Sequence, residues 1–146
     1  MIDLESTFKS SLEKLRTHAP FYSENDIRFW LLHDFINTCG TLSGFRLATE
    51  YPVPKSKGHY DIVILNPEGK FFLVAEVKYY YDGFSLNSFK SDLQRLQDSS
   101  AHHKYFICGI REDHHQIVLD TTDSLPTGQV QVFKFPTPRW NPTQRT

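Results

Sequence analysis

Four charged residues interrupt segments of the sequence that are otherwise apolar. Asp61 lies in YDIVIL, Glu76 and Lys78 lie in FFLVAEVKY, and Glu24 begins a segment with an apolar stripe. Burying a charge without a partner costs several kcal/mol, so several charges in such segments require compensation. The sequence therefore predicts that these side chains meet and that a divalent cation balances their carboxylates.

The strand register decides whether the two strand carboxylates meet. Residues two apart on a strand share a face, so Glu76 and Lys78 lie on the same side of the sheet. If the hairpin pairs Asp61 with Glu76, their Cβ atoms lie about 4.5–5.5 Å apart and both carboxylates can share one ion. Neighbouring registers put Asp61 on the other face. The turn length permits the required register without proving it.

Paired carboxylates with a nearby lysine favour one kind of chemistry. Hard oxygen ligands suit Mg²⁺ or Mn²⁺ better than the metals that His and Cys bind. Such an ion can hold a phosphodiester oxygen and lower the pKa of a bound water, while Lys78 orients or deprotonates that water or stabilises charge at phosphorus. Glu24 lies on the core face of a helix start, facing the same site, although the helix dipole alone also favours an acid there.

Other charged residues near this set have simpler interpretations. Glu50 is a rival carboxylate, but the following Tyr51-Pro52-Val53-Pro54 places it near a strand end, where it is expected to be solvated or ion-paired. Asp92 and Arg95 are three residues apart on a helix, which predicts a surface ion pair worth a few tenths of a kcal/mol.

The apolar periodicity predicts the elements that position these residues. A period of four or three indicates helices, and continuous apolar runs bounded by turn residues indicate strands that are covered on both faces. The order helix, three-strand meander, helix, strand is typical of an α/β/α sandwich. The expected elements are helices over 3–17, 23–40 and 85–97 and strands over 46–53, 60–65, 71–79, 104–110, 116–119 and 129–135.

These residues resemble the PD-(D/E)XK nuclease superfamily. The resemblance covers residues 23–110 and rests on Glu24, on Asp61, on the tripeptide Glu76-Val77-Lys78, and on the segments SDLQRLQ and KYFICGI that follow. It implies a restriction-endonuclease-like fold, an α/β/α sandwich with an αβββαβ core and a mixed central sheet. One departure is that Tyr60, rather than proline, precedes the aspartate.

The same resemblance implies an activity and the residues that carry it. It implies Mg²⁺-dependent hydrolysis of phosphodiester bonds, with Asp61 and Glu76 as metal ligands, Lys78 as the catalytic lysine and Glu24 as an auxiliary acid. We therefore expect a metal-dependent nuclease, an endonuclease that acts on DNA rather than RNA. The alternative is a nuclease-like fold that binds nucleic acid or a protein partner without cleavage, which the intact motif residues weigh against.

The charge balance limits how nucleic acid can be held. The chain has 146 residues, with 16 Lys and Arg against 17 Asp and Glu, so a bulk basic surface of the histone type is excluded. A local patch must hold the substrate, and a homodimer or a partner protein is expected to supply specificity. The candidate patch residues are Lys57, His59, Lys90, Gln94 and Arg95.

The remaining sequence features favour one domain in the cytoplasm. No run of 18 apolar residues is present to span a membrane. Cys39 and Cys108 are far apart, which argues against a disulfide framework or a cysteine zinc site and indicates a reducing compartment. The expected organisation is a single domain over 1–135, with an N-terminal helix within 1–20 and the core over 23–110, followed by a Pro-rich, extended tail over 136–146.

Overall fold

The chain folds into four helices and five strands in the computed structural model, which describes residues 3–17 and 21–138. The elements are α1 (Leu4–Leu15), α2 (Glu24–Cys39), β1 (Arg46–Pro52), β2 (His59–Leu65), β3 (Phe71–Tyr80), α3 (Leu86–Gln97), β4 (His103–Arg111), α4 (His115–Thr122) and β5 (Val130–Thr137). Among the described residues, no helix is both long and apolar enough to cross a bilayer.

The five strands form one mixed sheet in the order β1-β2-β3-β4-β5. β1, β2 and β3 are antiparallel neighbours, whereas β4 and β5 continue the sheet in parallel with β3. The turn between β2 and β3 is closed by Asn66, whose side-chain oxygen accepts from the backbone N–H groups of Glu68 and Lys70 at 3.0 and 2.9 Å. Gly69 supplies the positive φ of +82° that this turn needs. The predicted α/β class with a mixed sheet is confirmed.

Helices cover both faces of the sheet, as the doubly apolar strands predict. The helices α1 and α2 pack on one face, with the buried residues Phe8, Leu12, Ile27, Leu31 and Phe35 against Ile62, Leu73, Ala75, Val77 and Ile107. The helices α3 and α4 pack on the other face, with Phe89, Leu93, Leu96 and Val118 against Val63, Val74, Phe106 and Ile110. The chemistry-bearing strand β3 therefore runs through the centre of the sandwich.

Helix α2 begins and ends where its capping residues predict. The Ser23 side chain accepts from the N–H of Asp26 at 3.2 Å, and Gly40, at φ +72°, follows the last helical residue. This start places Glu24 in the first turn of the helix and Arg28 one turn later, on the side that approaches β2.

One predicted strand is wrong. Residues 116–119 belong to helix α4, in which Val118 and Thr122, four residues apart, are buried. The segment connects the parallel strands β4 and β5, and a parallel pair needs a crossover, usually a helix, rather than another strand. A short apolar run such as QIVL does not distinguish the two by periodicity.

The C-terminal boundary also differs from the prediction. The strand expected over 129–135 is confirmed as β5, but β5 continues to Thr137, where Pro136 and Thr137 pair with Ile110 and Arg111. The first residues of the predicted tail, 136–146, are therefore part of the sheet. Residues 139–146 of the predicted tail lie outside the described residues.

Candidate metal centre

The β2–β3 hairpin has the register that brings Asp61 and Glu76 together. Ile62 pairs with Ala75, and the next position along the hairpin sets Asp61 across from Glu76. This register depends on an irregularity between Ile64 and Leu65, because Leu65 pairs with Phe71, one residue out of step with the rest. Without that bulge Asp61 would lie opposite Ala75, on the other face of the sheet.

Asp61 is anchored by the backbone of β3. Its Oδ2 accepts from the N–H of Val77 at 2.7 Å, which fixes the carboxylate beside the neighbouring Glu76. The negative charge of Asp61 is near enough to raise the pKa of Glu76. Two acids in this arrangement are a potential pair of ligands for one cation.

Glu76 is buried, and only one of its two carboxyl oxygens accepts a hydrogen bond from the described residues. Its side chain is 5 % exposed, and its Oε1 accepts from Arg95 Nη1 at 2.8 Å. Its Oε2 is buried and receives no hydrogen bond from the residues that the structure describes. Burial, followed by the negative charge of Asp61, raises the pKa of Glu76 to about 8. Glu76 therefore holds a proton at neutral pH unless a cation replaces that proton.

Two arginines partly balance the carboxylates, and the sequence did not predict the first of them. Arg28 Nη1 lies 3.7 Å from an oxygen of Asp61 and 3.7 Å from one of Glu50. Glu50 is 69 % exposed and ion-paired, as expected, and it also lines a small cavity together with Glu24 and Asp61. The only sequence signal for Arg28 is its position four residues after Glu24, on the same side of α2.

Lys78 lies on the same face of β3 as Glu76 and contacts the helix α3. Its Nζ is 3.6 Å from Asp92 Oδ2. Burial lowers the pKa of Lys78, but the surrounding carboxylates, with Asp92 the strongest, outweigh burial, so the pKa lies above its usual value. Lys78 is therefore a cation at neutral pH, which suits it to stabilising negative charge rather than to removing a proton.

The expected ion pair between Asp92 and Arg95 is present, but it does not lie on the surface. Asp92 is buried, and Arg95 Nη1 bridges it, at 3.4 Å, to Glu76. The signal was present in the sequence, because Asp92 lies on the apolar stripe of Phe89, Leu93 and Leu96 that packs on the sheet. Lys78, Asp92, Arg95 and Glu76 thus form a row in which basic and acidic side chains alternate, which we call the charge chain.

Glu24 faces the cluster from the start of α2. It lines a cavity of about 100 Å³ together with Asp61 and Arg28, and a second cavity of about 420 Å³ together with Lys78 and Asp92. Its negative charge helps to keep the pKa of Lys78 high. The structure therefore brings Glu24, Asp61, Glu76 and Lys78 into one cluster.

Three of the five residues predicted for the nucleic-acid patch line one cavity, and the other two do not. Lys57, Gln94 and Arg95 line one cavity of about 780 Å³ between the β1–β2 loop and α3. Gln94 also donates to Asp98 at 2.8 Å. His59 and Lys90 are exposed and do not line this cavity.

The donor set at the candidate centre is small. Within residues 3–17 and 21–138, no three His, Cys, Asp or Glu side chains are grouped so as to hold a metal ion. The two carboxylates of Asp61 and Glu76, one with an unsatisfied buried oxygen, fit a hard divalent cation that keeps several water ligands, as Mg²⁺ does.

Comparison of the chain with protein-family models, with curated proteins and with solved structures found no match. The structure defines an α/β protein with a five-stranded mixed sheet and two neighbouring carboxylates, of which Glu76 is buried and Asp61 is partly exposed. Its function has to be argued from that pair and from the charge chain.

The charge chain predicts a measurable change at Lys78. Replacing Asp92 by asparagine removes the strongest of the charges that raise the pKa of Lys78, so this pKa is expected to fall. Nuclear magnetic resonance titration of the Lys78 side chain measures the shift. Asp98→Asn, at an exposed acid on the same helix, is the control and should leave the pKa unchanged. An unaltered pKa in Asp92→Asn would contradict the ion pair.

Proposed function

We propose that this protein is a metal-dependent nuclease of the PD-(D/E)XK type that hydrolyses phosphodiester bonds, with DNA as the substrate. The observation that carries the proposal is the pairing of Asp61 with Glu76, whose buried Oε2 has no hydrogen-bond donor among the described residues. A buried oxygen of this kind beside a second carboxylate is what a cation would satisfy. Lys78 on the same face adds the third element of the motif.

The order of elements supports the same proposal. The segment from α2 to β4 runs helix, three antiparallel strands, helix and parallel strand, which is the αβββαβ order expected of a restriction-endonuclease-like fold. Each motif residue also has a defined place in it, with Glu24 at the start of the first helix and the acid pair on the central hairpin.

Asp61 and Glu76 are the residues that would hold Mg²⁺ or Mn²⁺. When bound, such an ion supplies charge neutralisation and an activated water for attack on a phosphodiester. Glu76 must lose its proton to act as a ligand, so the protein's affinity for the ion is expected to rise with pH up to about 8. Arg95, which donates to Glu76 Oε1, keeps the carboxylate oriented in both states.

Lys78 and Glu24 contribute charge and orientation. Because the pKa of Lys78 is above its usual value, its ammonium group stabilises negative charge that develops on the phosphoryl oxygens. Glu24 lines the cavities on both sides of the cluster, from which it can accept a hydrogen bond from water or from the lysine. A second copy of the chain or a partner protein would supply sequence specificity.

A second candidate function follows from the arginines. Arg28 lies near Asp61, and Arg95 is bonded to Glu76, so protein cations already offset the charge of the acid pair. This arrangement favours a module with the same fold that binds nucleic acid or a protein partner without cleaving. The two functions make opposite predictions for the product of an incubation with DNA and Mg²⁺.

The test is cleavage of supercoiled plasmid and of single-stranded DNA in the presence of Mg²⁺, Mn²⁺ or EDTA. We expect cleavage with either metal and none with EDTA. In Asp61→Asn, which can still accept from Val77, the rate should fall at least about 100-fold, because even the loss of an outer partner of a metal ligand costs about 10–100-fold. Glu68→Gln, at an exposed acid in the β2–β3 turn, is the control and should keep the wild-type rate.

The possible outcomes separate the two candidates. Cleavage in EDTA, or unchanged cleavage by Asp61→Asn, would refute the assigned site. Intact DNA on every substrate, together with binding in a gel-shift assay, would favour the non-cleaving module.

A further inference from the structure

A groove of about 780 Å³ lies beside the acid pair and is distinct from the residues assigned to hydrolysis. The β1–β2 loop forms one wall and the outer side of α3 forms the other. Two links place it next to the candidate metal centre. Tyr60, which lines the groove, directly precedes Asp61, and Arg95, which also lines it, donates to Glu76 at 2.8 Å.

The β1–β2 loop contributes two lysines to its wall of the groove, and a backbone hydrogen bond closes this loop. The N–H of Val53 donates to the carbonyl of Gly58 at 3.1 Å, which closes the loop on itself. Within it Lys55 adopts a φ of +59° and Gly58 a φ of +101°. Lys55 and Lys57 are exposed and both line the groove. The loop therefore holds two lysine side chains at the mouth of the groove.

The charge of the groove suits an anionic chain. Lys55 and Lys57 face Arg95 across it, and a Cβ built on Gly58 would lie 3.7 Å from the guanidinium carbon of Arg95. Arg95 donates to Glu76 and Asp92 through Nη1, whereas its Nη2 and Nε lie 3.7 and 3.8 Å from a Cβ built on Gly58, on the groove side. Asp98 is the acid in the lining, and Gln94 donates to it. Positive groups thus outnumber negative ones.

The uncharged residues that line the groove can contact a base and a sugar. The half-buried Phe71 contributes aromatic surface, with the buried Tyr60 packed against it, and serines such as Ser91 contribute hydroxyl groups. A volume of about 780 Å³ lies within the range of about 300–1,000 Å³ found for pockets that enclose ligands of drug-like size. A single nucleotide is a ligand of that size, with a phosphate for the lysines and a base for the interior.

We propose that this groove binds one unpaired nucleotide of a DNA strand next to the phosphate that is cleaved. The inference rests on the proposed nuclease function and defines the substrate class. A base in a duplex is stacked and paired, so it enters such a groove only after unpairing, which costs a few kcal/mol. The protein therefore prefers single-stranded or locally unpaired DNA over a fully paired duplex.

The test measures binding without cleavage. Fluorescence anisotropy in EDTA gives the Kd of the wild-type protein for a labelled single strand of about 12 deoxynucleotides, for the same strand in a blunt duplex, and for its RNA counterpart. We expect the single strand of DNA to bind most tightly. The double variant Lys55→Ala, Lys57→Ala is expected to weaken this binding and to reduce the slope of log Kd against log salt by about 0.7, the contribution of one lost phosphate contact.

Two further variants control for charge and for shape. Lys9→Ala with Lys70→Ala removes the same charge from exposed lysines in α1 and in the β2–β3 turn, and should leave the salt slope close to that of the wild type. Ser91→Trp fills the groove from α3 without a change of charge and should weaken single-strand binding while leaving duplex binding unchanged. Circular dichroism melting verifies that each variant is folded.

Three results would overturn the inference. These are a duplex that binds as tightly as the single strand, a loop double variant that behaves like its charge control, and tighter binding of RNA than of DNA. Because the assay contains no metal, its failure is separable from failure of the proposed hydrolysis. Single-strand binding without cleavage would refute hydrolysis alone, and cleavage without single-strand preference would refute the groove alone.

Discussion

Replacing Lys78 by methionine is expected to lower the single-turnover rate of DNA cleavage by about 10²–10³-fold. That is the usual cost of removing one group that stabilises charge in a transition state. Methionine keeps much of the apolar stem that packs in the sandwich but has no ammonium group. The affinity for Mg²⁺ is expected to change little, because the lysine is a cation at neutral pH and is not a metal ligand.

The measurement is the cleavage rate at saturating protein as a function of Mg²⁺ concentration. It separates the maximal rate, which should fall, from the midpoint of the metal titration, which should stay nearly constant. Lys70→Met, in the exposed turn at the far end of the same hairpin, serves as the control and should retain the wild-type rate. A Lys78→Met protein that keeps more than about a tenth of that rate would refute a direct role of the ammonium group.

Local signals in the sequence were sufficient for most elements of the fold. Ser23 and Gly40 mark the ends of α2 because a serine side chain satisfies a free N–H and a glycine accepts a positive φ. The failure at 116–119 has a different origin. Helix α4 exists because β4 and β5 are parallel and need a crossover, and that relation between distant strands is not visible in four apolar residues.

The site was predictable in its residue types but not in its geometry. The turn that pairs Leu65 with Phe71 would, if continued regularly, bring Asp61 opposite Ala75. The bulge between Ile64 and Leu65 shifts the hairpin by one residue, so it decides whether the acids meet. Neither this bulge nor the approach of Arg28 from α2 follows from spacing along the chain.

The charge chain also shows why composition was a weak guide. A net charge of −1 gave no indication of where acids and bases lie. In the folded protein, the acids Asp92 and Glu76 are buried on the α3 side of the sheet, where they contact Lys78 and Arg95. Because Glu76 is protonated at neutral pH, a metal ion that binds it must displace that proton.

The proton on Glu76 also predicts how the stability of the metal-free protein depends on pH. The pKa of Glu76 is 4.5 in a model compound and about 8 in the folded protein. Between these values the folded chain keeps a proton that the unfolded chain releases, so the free energy of unfolding falls as the pH rises, by at most about 1.4 kcal/mol per pH unit for one group. The stabilisation is complete below the lower pKa and is lost above the higher one.

Glu76→Gln is expected to abolish the decrease in the free energy of unfolding with pH, because glutamine occupies the same volume and does not ionise. The variant should be about as stable as the wild type below about pH 4.5, and its advantage should grow as the pH rises to about 8 and then stay constant. Urea unfolding followed by circular dichroism at a series of pH values gives both curves. Glu50→Gln is the control, and because Glu50 is an exposed acid the wild-type slope should persist.

Added Mg²⁺ should restore the stability that the wild-type protein loses at alkaline pH, and it should have no such effect on Glu76→Gln. A ligand that binds the folded state stabilises it by about 2.7 kcal/mol at a concentration of 100 times its Kd, and at alkaline pH the acid pair is ionised and free to bind. In Glu76→Gln one ligand is missing, so Mg²⁺ should have little effect. Equal stabilisation of both proteins by Mg²⁺ would place the bound ion elsewhere. A wild-type stability that rises with pH from about 5 to 8 would contradict the buried, protonated state of Glu76.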